Sequence, residues 1–550
     1  MTAPDLDSEQ PPLLVLTRRA RRRLLGAAGS LLGLVFLPYV IPPLADLRPW
    51  FPEGSYVPFW NITGRLHSGD EEREEREQLA GFEELARAEE HARARSAEKQ
   101  AREVVSVPPN VIGPHGDASE GVYPPYAGHP DDQAKVAVGI EGAAGLEHYF
   151  GRLALAELEV GNVIARAGQW GDSVLGGDGL THAMRQKMQA RFGDGGHGFH
   201  ALSRYGIGYS HRGVRFQDRG GWRSCEIIFK CRPDQRYGYA GVSSGSAAGG
   251  TSIWQTAKSG AGDKASHFEL WYQTGPEGGR FQVKIDERAP HVINTRAPVL
   301  GDAVEVYSLE DGAHSFEVRA IGGGTARGYG VVLERNGPGA VWDELSLIGS
   351  FTQRLDYQDR EHIGWQLRRR GIDMMVFMFG GNDVQREYED LKVSMERYED
   401  EYRQVIGKFR AGRPEASCLV MSLIDHGTRV DDTIRTRPIV PRLVNSQRNV
   451  ARAEGCAFFD TFRAMGGHNS IARWYRARPQ LAAPDFSHPT QAGQSVIATL
   501  VYRALMLEYA DFRQRKAGDA LPEFEDYSEP SPEGDAAPGL PRPGRGAPPG

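Results

Sequence analysis

The chain has 550 residues, 65 of them basic and 72 acidic, for a formal net charge of −7. Such a length exceeds one ordinary domain, so two domains with appendages are expected. The charge balance gives no case for nucleic-acid binding, and four cysteines are too few for a disulfide scaffold. No Cys/His run has metal-ligand spacing.

Residues 24–45 carry no charge, and a helix of that length rises about 33 Å, enough to cross a bilayer core. Arg18, Arg19, Arg21, Arg22 and Arg23 come directly before it. By the positive-inside rule they hold a tail, 1–23, in the cytoplasm and send the chain after residue 46 outward, to the periplasm or cell surface. The reading is a single-pass anchor in a bacterial-type inner membrane. Pro38, Pro42 and Pro43 weaken its second half. The competing readings are a signal peptide cleaved near Pro43-Leu44-Ala45 and a twin-arginine signal.

Residues 46–134 read as a stalk and a linker. The stretch 70–103 is dense in Glu, Arg and Ala, with opposite charges four apart such as Glu72 and Arg76. Its apolar stripe is short (Leu79, Phe82, Leu85), which predicts a solvated helix. Residues 107–134 are rich in Pro, Gly and Asp, as linkers are.

A helix at about 144–158 precedes Val163 and Ile164, which lead through Trp170 into Gly171-Asp172-Ser173. A helical pattern comes next, with Leu180, Met184, Met188 and Phe192 on one face. A serine in a glycine-flanked turn between strand and helix is well placed for a nucleophile, its N–H near the positive end of the helix. The same tripeptide is also a common turn composition. His197, in Gly195-Gly196-His197-Gly198, is read as structural, with a substrate contact as the alternative.

From 203 to 340 the pattern alternates. Phe281, Val283 and Ile285 are one period-two run, Phe316, Val318 and Ala320 another, and Tyr329, Val331 and Leu333 a third. Gly-rich turns between such runs predict a β-sandwich or jelly roll inserted into the surrounding domain. It contains none of the candidate catalytic residues, so it is read as separable from them. Trp222, Trp254, Trp271 and Tyr272 are read as sandwich core, with sugar stacking as the alternative. Cys225 and Cys231 sit on one predicted strand, about 20 Å apart if it is straight, so they are not expected to pair. Cys418 and Cys456 are expected as buried thiols in two core strands.

After 341 strands and helices alternate, which implies a parallel sheet covered on both faces. Met374–Met378 read as a strand buried on both sides and end in Gly380-Gly381-Asn382-Asp383. The Asn382 amide can donate to an oxyanion. Helices are expected at 385–410, 439–454 and 490–511, and strands at 417–423 and 456–459. In Asp485-Phe486-Ser487-His488 a single turn can bring the carboxylate to one imidazole nitrogen and leave the other facing outward. Residues 513–550 are a Pro/Gly-rich tail expected to be disordered.

These three blocks, in this order, resemble the SGNH (GDSL-type) hydrolase family. The resemblance covers about 135–202 and 341–512. It implies an α/β, three-layer, flavodoxin-like domain, discontinuous in sequence. Ser173 would then be the nucleophile, His488 the base and Asp485 its orienting carboxylate. The oxyanion hole would come from Ser173, Gly349 and Asn382, Gly349 being the loosest match. The stretch 191–199 with a sandwich after it looks like the peptidoglycan O-acetylesterase branch, whose inserted domain resembles a carbohydrate-binding module. The implied activity is removal of O-acetyl groups from peptidoglycan or another surface polysaccharide, so the expected partners are an acetylated glycan and the membrane. Two alternatives stay open: an O-acyltransferase using the same triad, and a non-catalytic wall-binding protein.

Overall fold

A computed structural model of the chain describes residues 68–102, 121–206, 208–258, 262–385 and 394–522. The readings at 1–23 and 24–45, those on 46–67 and 103–120, residues 386–393 of the helix expected at 385–410, and the tail beyond 522 lie outside the described residues. Among the described residues no helix is long and apolar enough to cross a membrane. The chain divides into two compact units, Met1–Arg76 and Glu77–Gly550. Of the first, the described residues 68–76 are helical. The second holds every described strand.

Its centre is a six-stranded sheet: β1 (Ile140–Glu141), β2 (Ile164–Gly171), β3 (Gly339–Ser346), β4 (Met374–Met378), β5 (Ser417–Met421) and β6 (Ala457–Phe459). The order across it is β1-β6-β5-β4-β2-β3. All neighbours run parallel except β1, which is antiparallel to β6. From β2 onward this is the 2-1-3-4-5 order of flavodoxin-like folds, with the switch point between β2 and β4. Strands β2 to β6 are buried along their whole length, as a sheet covered on both faces requires.

The helices α1 (Ser68–Arg102), α2 (Glu147–Glu157), α3 (Gly179–Phe192), α4 (Arg360–Arg370), α5 (Met395–Gly412), α6 (Ile439–Ala453) and α7 (Gln491–Lys516) supply the covering layers. Leu180, Met184, Met188 and Phe192 of α3 pack with Val496, Ile497 and Val501 of α7 on one face. On the other, Ile363 and Leu367 of α4 join Tyr402, Val405 and Phe409 of α5. Helix α7 runs to Lys516, past the point at which the tail was expected to begin.

The helix expected to be solvated is exposed over most of its length but docks by one narrow face. Phe82 and Ala86 of α1 are buried, and the Phe82 ring meets Trp474 edge-on at 5.5 Å. Glu83 accepts from the Arg478 N–H at 2.8 Å, and Glu89 pairs with Lys187 at 2.6 Å. A three-residue stripe suffices because the face it meets is already built by other elements. Part of the expected linker is also docked: Tyr123 is buried, its ring 6.0 Å from Phe512.

Between α3 and β3 lies the sandwich. One sheet runs 291–294, 280–285, 315–320, 251–256, 214–218, and the other 301–312, 265–274, 326–334, 242–246, 223–226. Gly196–Ala201 pairs antiparallel with 326–334, so sandwich pairing starts before 203. Trp254, Trp271 and Tyr272 are buried, and half-buried Trp222 donates to the Ser252 hydroxyl at 3.0 Å.

The sandwich is tied to the parallel sheet by buried charge. Glu334 takes Arg166 of β2 at 2.8 Å and Arg370 of α4 at 2.6 Å. Arg370 also grips Asp343 of β3 at 2.8 and 2.9 Å, and Asp343 accepts from the Tyr239 hydroxyl at 3.0 Å. Burial alone would raise the Glu334 carboxyl, but the two guanidiniums outweigh it and hold it down at about 2.

Both cysteine expectations are overturned, because Cys225 pairs with Cys231 and Cys418 with Cys456. The strand 223–226 ends at once, and a turn of helix (Ile227–Phe229) with Lys230 at φ 50° folds the chain back. The Cα atoms of the first pair are therefore 6.0 Å apart. In the second, Leu419 of β5 stands opposite Ala457 of β6, which sets the two preceding cysteines side by side, 4.7 Å apart at Cα.

Candidate active site

Every candidate residue lies beyond the carboxyl ends of the parallel strands, where open α/β sheets bind ligands. Ser173 follows β2, Gly349 follows β3, and Asn382 follows β4. Asp485 and His488 come just before α7, whose cap is Thr490. The expected helix after Ser173 is interrupted. Ser173–Asp178 is a turn of 3-10 helix capped by the Asp172 side chain, and α3 begins only at Gly179, after a kink at Gly176 and Gly177.

The Ser173 hydroxyl lies 2.8 Å from His488 Nε2, and His488 Nδ1 is 2.7 Å from Asp485 Oδ2. Asp485 Oδ1 accepts the Ser487 and His488 N–H groups at 2.9 and 3.1 Å. Burial raises the Asp485 carboxyl, but these N–H groups and the imidazole outweigh it, leaving it below its ordinary range and ionised. An ionised carboxylate fixes the tautomer in which Nε2 can accept the serine proton. The arrangement can therefore deprotonate a hydroxyl nucleophile and return the proton to a leaving group.

The turns that carry these groups are cross-linked. Asp172 accepts from the Val174 N–H at 3.1 Å and from the Gly381 N–H at 2.9 Å. Burial raises its carboxyl to about 6, against the lowering effect of those N–H groups. Asp383 accepts from the Thr352 N–H and hydroxyl at 3.0 and 2.8 Å, fastening the Gly349 loop to the Asn382 loop. The Asn382 amide spends one N–H on Ser350 O at 3.0 Å, which sets its orientation and leaves a second N–H. Gln494 of α7 donates to Val174 O and Gly176 O at 2.9 and 3.1 Å. Only glycine fits at 380: its φ is 126°, and a Cβ there would come within 2.9 Å of Gln447 and Leu423.

Ser173, Asn382 and His488 line one small open cleft with Met378, Leu423, Ile424 and His426. Gly349, in the left-handed region at φ 79°, is not among its lining residues. The sequence reading missed His426. Burial holds its imidazole down at about 3, so it is a neutral wall of the cleft. Nothing in the run Ser422–His426 signalled it, because it enters only through the loop after β5. His197 lies elsewhere, on the strand Gly196–Ala201.

Residues 311–496 match the family model described as GDSL-like lipase/acylhydrolase. That span contains Gly349, Asn382, Asp485 and His488; Ser173 precedes it. No curated protein matches the chain. Among solved structures the chain is similar to one described as a peptidoglycan O-acetylesterase in action, with 17% identity and a TM-score of 0.54, covering 65% of this chain and 95% of that one. It is also similar to an acetylxylan esterase from Geobacillus stearothermophilus, at 21% identity and TM-score 0.23 over 30% and 73% of the two chains. A family two carbohydrate esterase from Cellvibrio japonicus gives 12% identity and TM-score 0.20 over 53% and 98%. The first likeness is one of fold, and the other two add no argument. The family match over 311–496 and the sheet order identify an SGNH (GDSL-type) hydrolase domain, of the carboxylic ester hydrolase kind, within the chain.

Proposed function

We propose that the chain is a serine esterase that removes O-acetyl groups from peptidoglycan or another extracytoplasmic polysaccharide. In this reading the Ser173 oxygen attacks the acetyl carbonyl while His488 Nε2 takes its proton. The oxyanion is held by the N–H groups of Ser173 and Gly349 and by the free N–H of Asn382. His488 returns the proton to the departing sugar oxygen, then activates water to release acetate. Asp485 keeps the imidazole in place throughout. The observation that carries the reading is the unbroken Ser173–His488–Asp485 hydrogen-bond chain in an open cleft.

The glycan substrate rests on the likeness in fold to the peptidoglycan O-acetylesterase. An extracytoplasmic setting is supported by the two disulfides, which oxidising compartments permit; the anchor at 24–45 rests on the sequence pattern alone. The test is acetate release from O-acetylated peptidoglycan by the purified chain, beside its Ser173→Ala variant. Wild type is expected to release acetate and the variant none above background. Equal release by both would end the assignment of Ser173, and release from acetylated xylan but not peptidoglycan would move the substrate.

A further inference from the structure

We propose that His197, His200 and His211 form a buried binding site for one divalent transition-metal ion of the zinc class. One donor nitrogen from each imidazole lies within 4.8 Å of the others, and all three residues are buried. Positions 197 and 200 of a regular strand would face opposite sides. The positive φ angles of Gly196 (101°) and Gly198 (77°) turn the backbone so that both rings enter one space. His211 reaches the same space from the following loop, stacking on His200 at 3.6 Å between centroids.

Among the described residues, five ring nitrogens in this space lack a hydrogen bond: both of His197, both of His200, and Nε2 of His211. The Gly262 backbone lies beside His197 without closing one. Buried polar atoms left without partners are costly and uncommon, and one ion would take one nitrogen from each of the three rings. Imidazole nitrogen is a donor for zinc, copper or nickel, whereas calcium and magnesium take oxygen. Three nitrogens about 2.0–2.1 Å from one tetrahedral ion stand about 3.4 Å apart. No pair here has to close by more than about 1.4 Å.

The surroundings fit a ligand set. His211 Nδ1 is 3.3 Å from Arg212 O and 3.7 Å from Asp178 Oδ2, which directs Nε2 inward in the manner of metal-bound histidines. The cation in the same neighbourhood, Arg185, is engaged by both Asp178 oxygens at 3.1 and 3.2 Å and by Trp342 O at 3.0 Å. Gly213 and Gly262 leave room for the His197 ring: a Cβ on either would come within 2.6 or 1.6 Å of it.

The ion's role would be structural. The Arg212 N–H donates to Asp178 at 2.7 Å, its Nε to Gly177 O at 2.9 Å, and the Gly177 N–H to Gly208 O at 2.9 Å. An ion on the three imidazoles would thus clasp the 208–213 loop and the first sandwich strand to the turn after Ser173.

The test uses the full chain without a histidine tag, grown in zinc- or cobalt-supplemented medium and exchanged into metal-free buffer. Elemental analysis is expected to give about one zinc per chain. The cobalt form should show visible d–d absorption, with no thiolate band because the cysteines are paired. His200→Ala and His211→Gln should each fall below a tenth of an equivalent, whereas His291→Ala, at an exposed sandwich position, keeps the ion. If the variants do not fold, the wild-type content and cobalt spectrum decide. A wild-type chain below a tenth of an equivalent, a cobalt form without d–d bands, or folded variants with undiminished metal would each overturn the site.

Discussion

The Gly381 N–H donates to Asp172 Oδ2 at 2.9 Å, while Val174 donates to the other oxygen of the same carboxylate. One side chain thus holds the turn of Ser173 against the turn of Asn382, across the switch point between β2 and β4. Nucleophile and oxyanion donor gain their separation from this bond, and misplacement of such groups is costly in rate.

Asp172→Ala is therefore expected to lower kcat for a small acetyl ester by about 10- to 100-fold with little change in KM, since Asp172 acts by positioning the two turns. Steady-state kinetics with an activated acetate ester is the measurement. Unchanged kcat would mean that Asp383 and Gln494 hold the two turns without help.

Glu334→Gln tests the junction between sandwich and sheet. It leaves Arg166 and Arg370 facing an amide in a buried site, and breaking such a pair costs about 3–5 kcal/mol. Because the folded carboxyl is held at about 2, its stabilising contribution is complete above the unfolded value near 4.5. It is lost as pH falls from there towards 2. Denaturant melts should show the wild-type advantage in full at pH 7 and shrinking below pH 4. A difference under about 1 kcal/mol at pH 7 would show the pair to be dispensable.

The same junction argues against excising the insertion cleanly. Excising 205–335 would remove Glu334 and strip Gly196–Ala201 of its strand partner, so the remainder is expected not to fold. Sequence pattern exposed the sandwich because period-two runs are local. It could not expose Arg166–Glu334, which joins residues 168 apart. The three blocks of the site were legible for the same reason: each is a short turn whose chemistry sits in adjacent residues. His426 and the disulfide partners depend on which loops and strands become neighbours. The Cys225–Cys231 pair was misjudged by assuming a straight strand where Lys230 turns the chain.

Asp485→Asn probes the orienting carboxylate. Its side chain is 52% exposed, and an asparagine oxygen can still accept from Ser487 and His488, so the turn and the melting temperature should survive. The amide cannot hold His488 in the required tautomer, so kcat should fall by about 10²- to 10⁴-fold. A variant within twofold of wild type would mean that another carboxylate performs this task.

The hydrolase and transferase readings share the first half-reaction, so the triad cannot separate them, and the second half-reaction must. An esterase admits water to His488 Nε2, whereas a transferase must exclude it in favour of a bound hydroxyl. The His488 side chain is 42% exposed, and it lines an open cleft beside Ser173. Water therefore reaches the base without any conformational change, at a concentration no sugar hydroxyl can match. Free acetate is expected to form from a small acetyl ester at a rate independent of added glycan, with under a tenth of the acetyl appearing on sugar. Acetate and acetylated glycan should be quantified in the same reaction across a range of acceptor concentrations. A severalfold rise in turnover with acceptor, and most of the acetyl on sugar, would replace the esterase by the transferase.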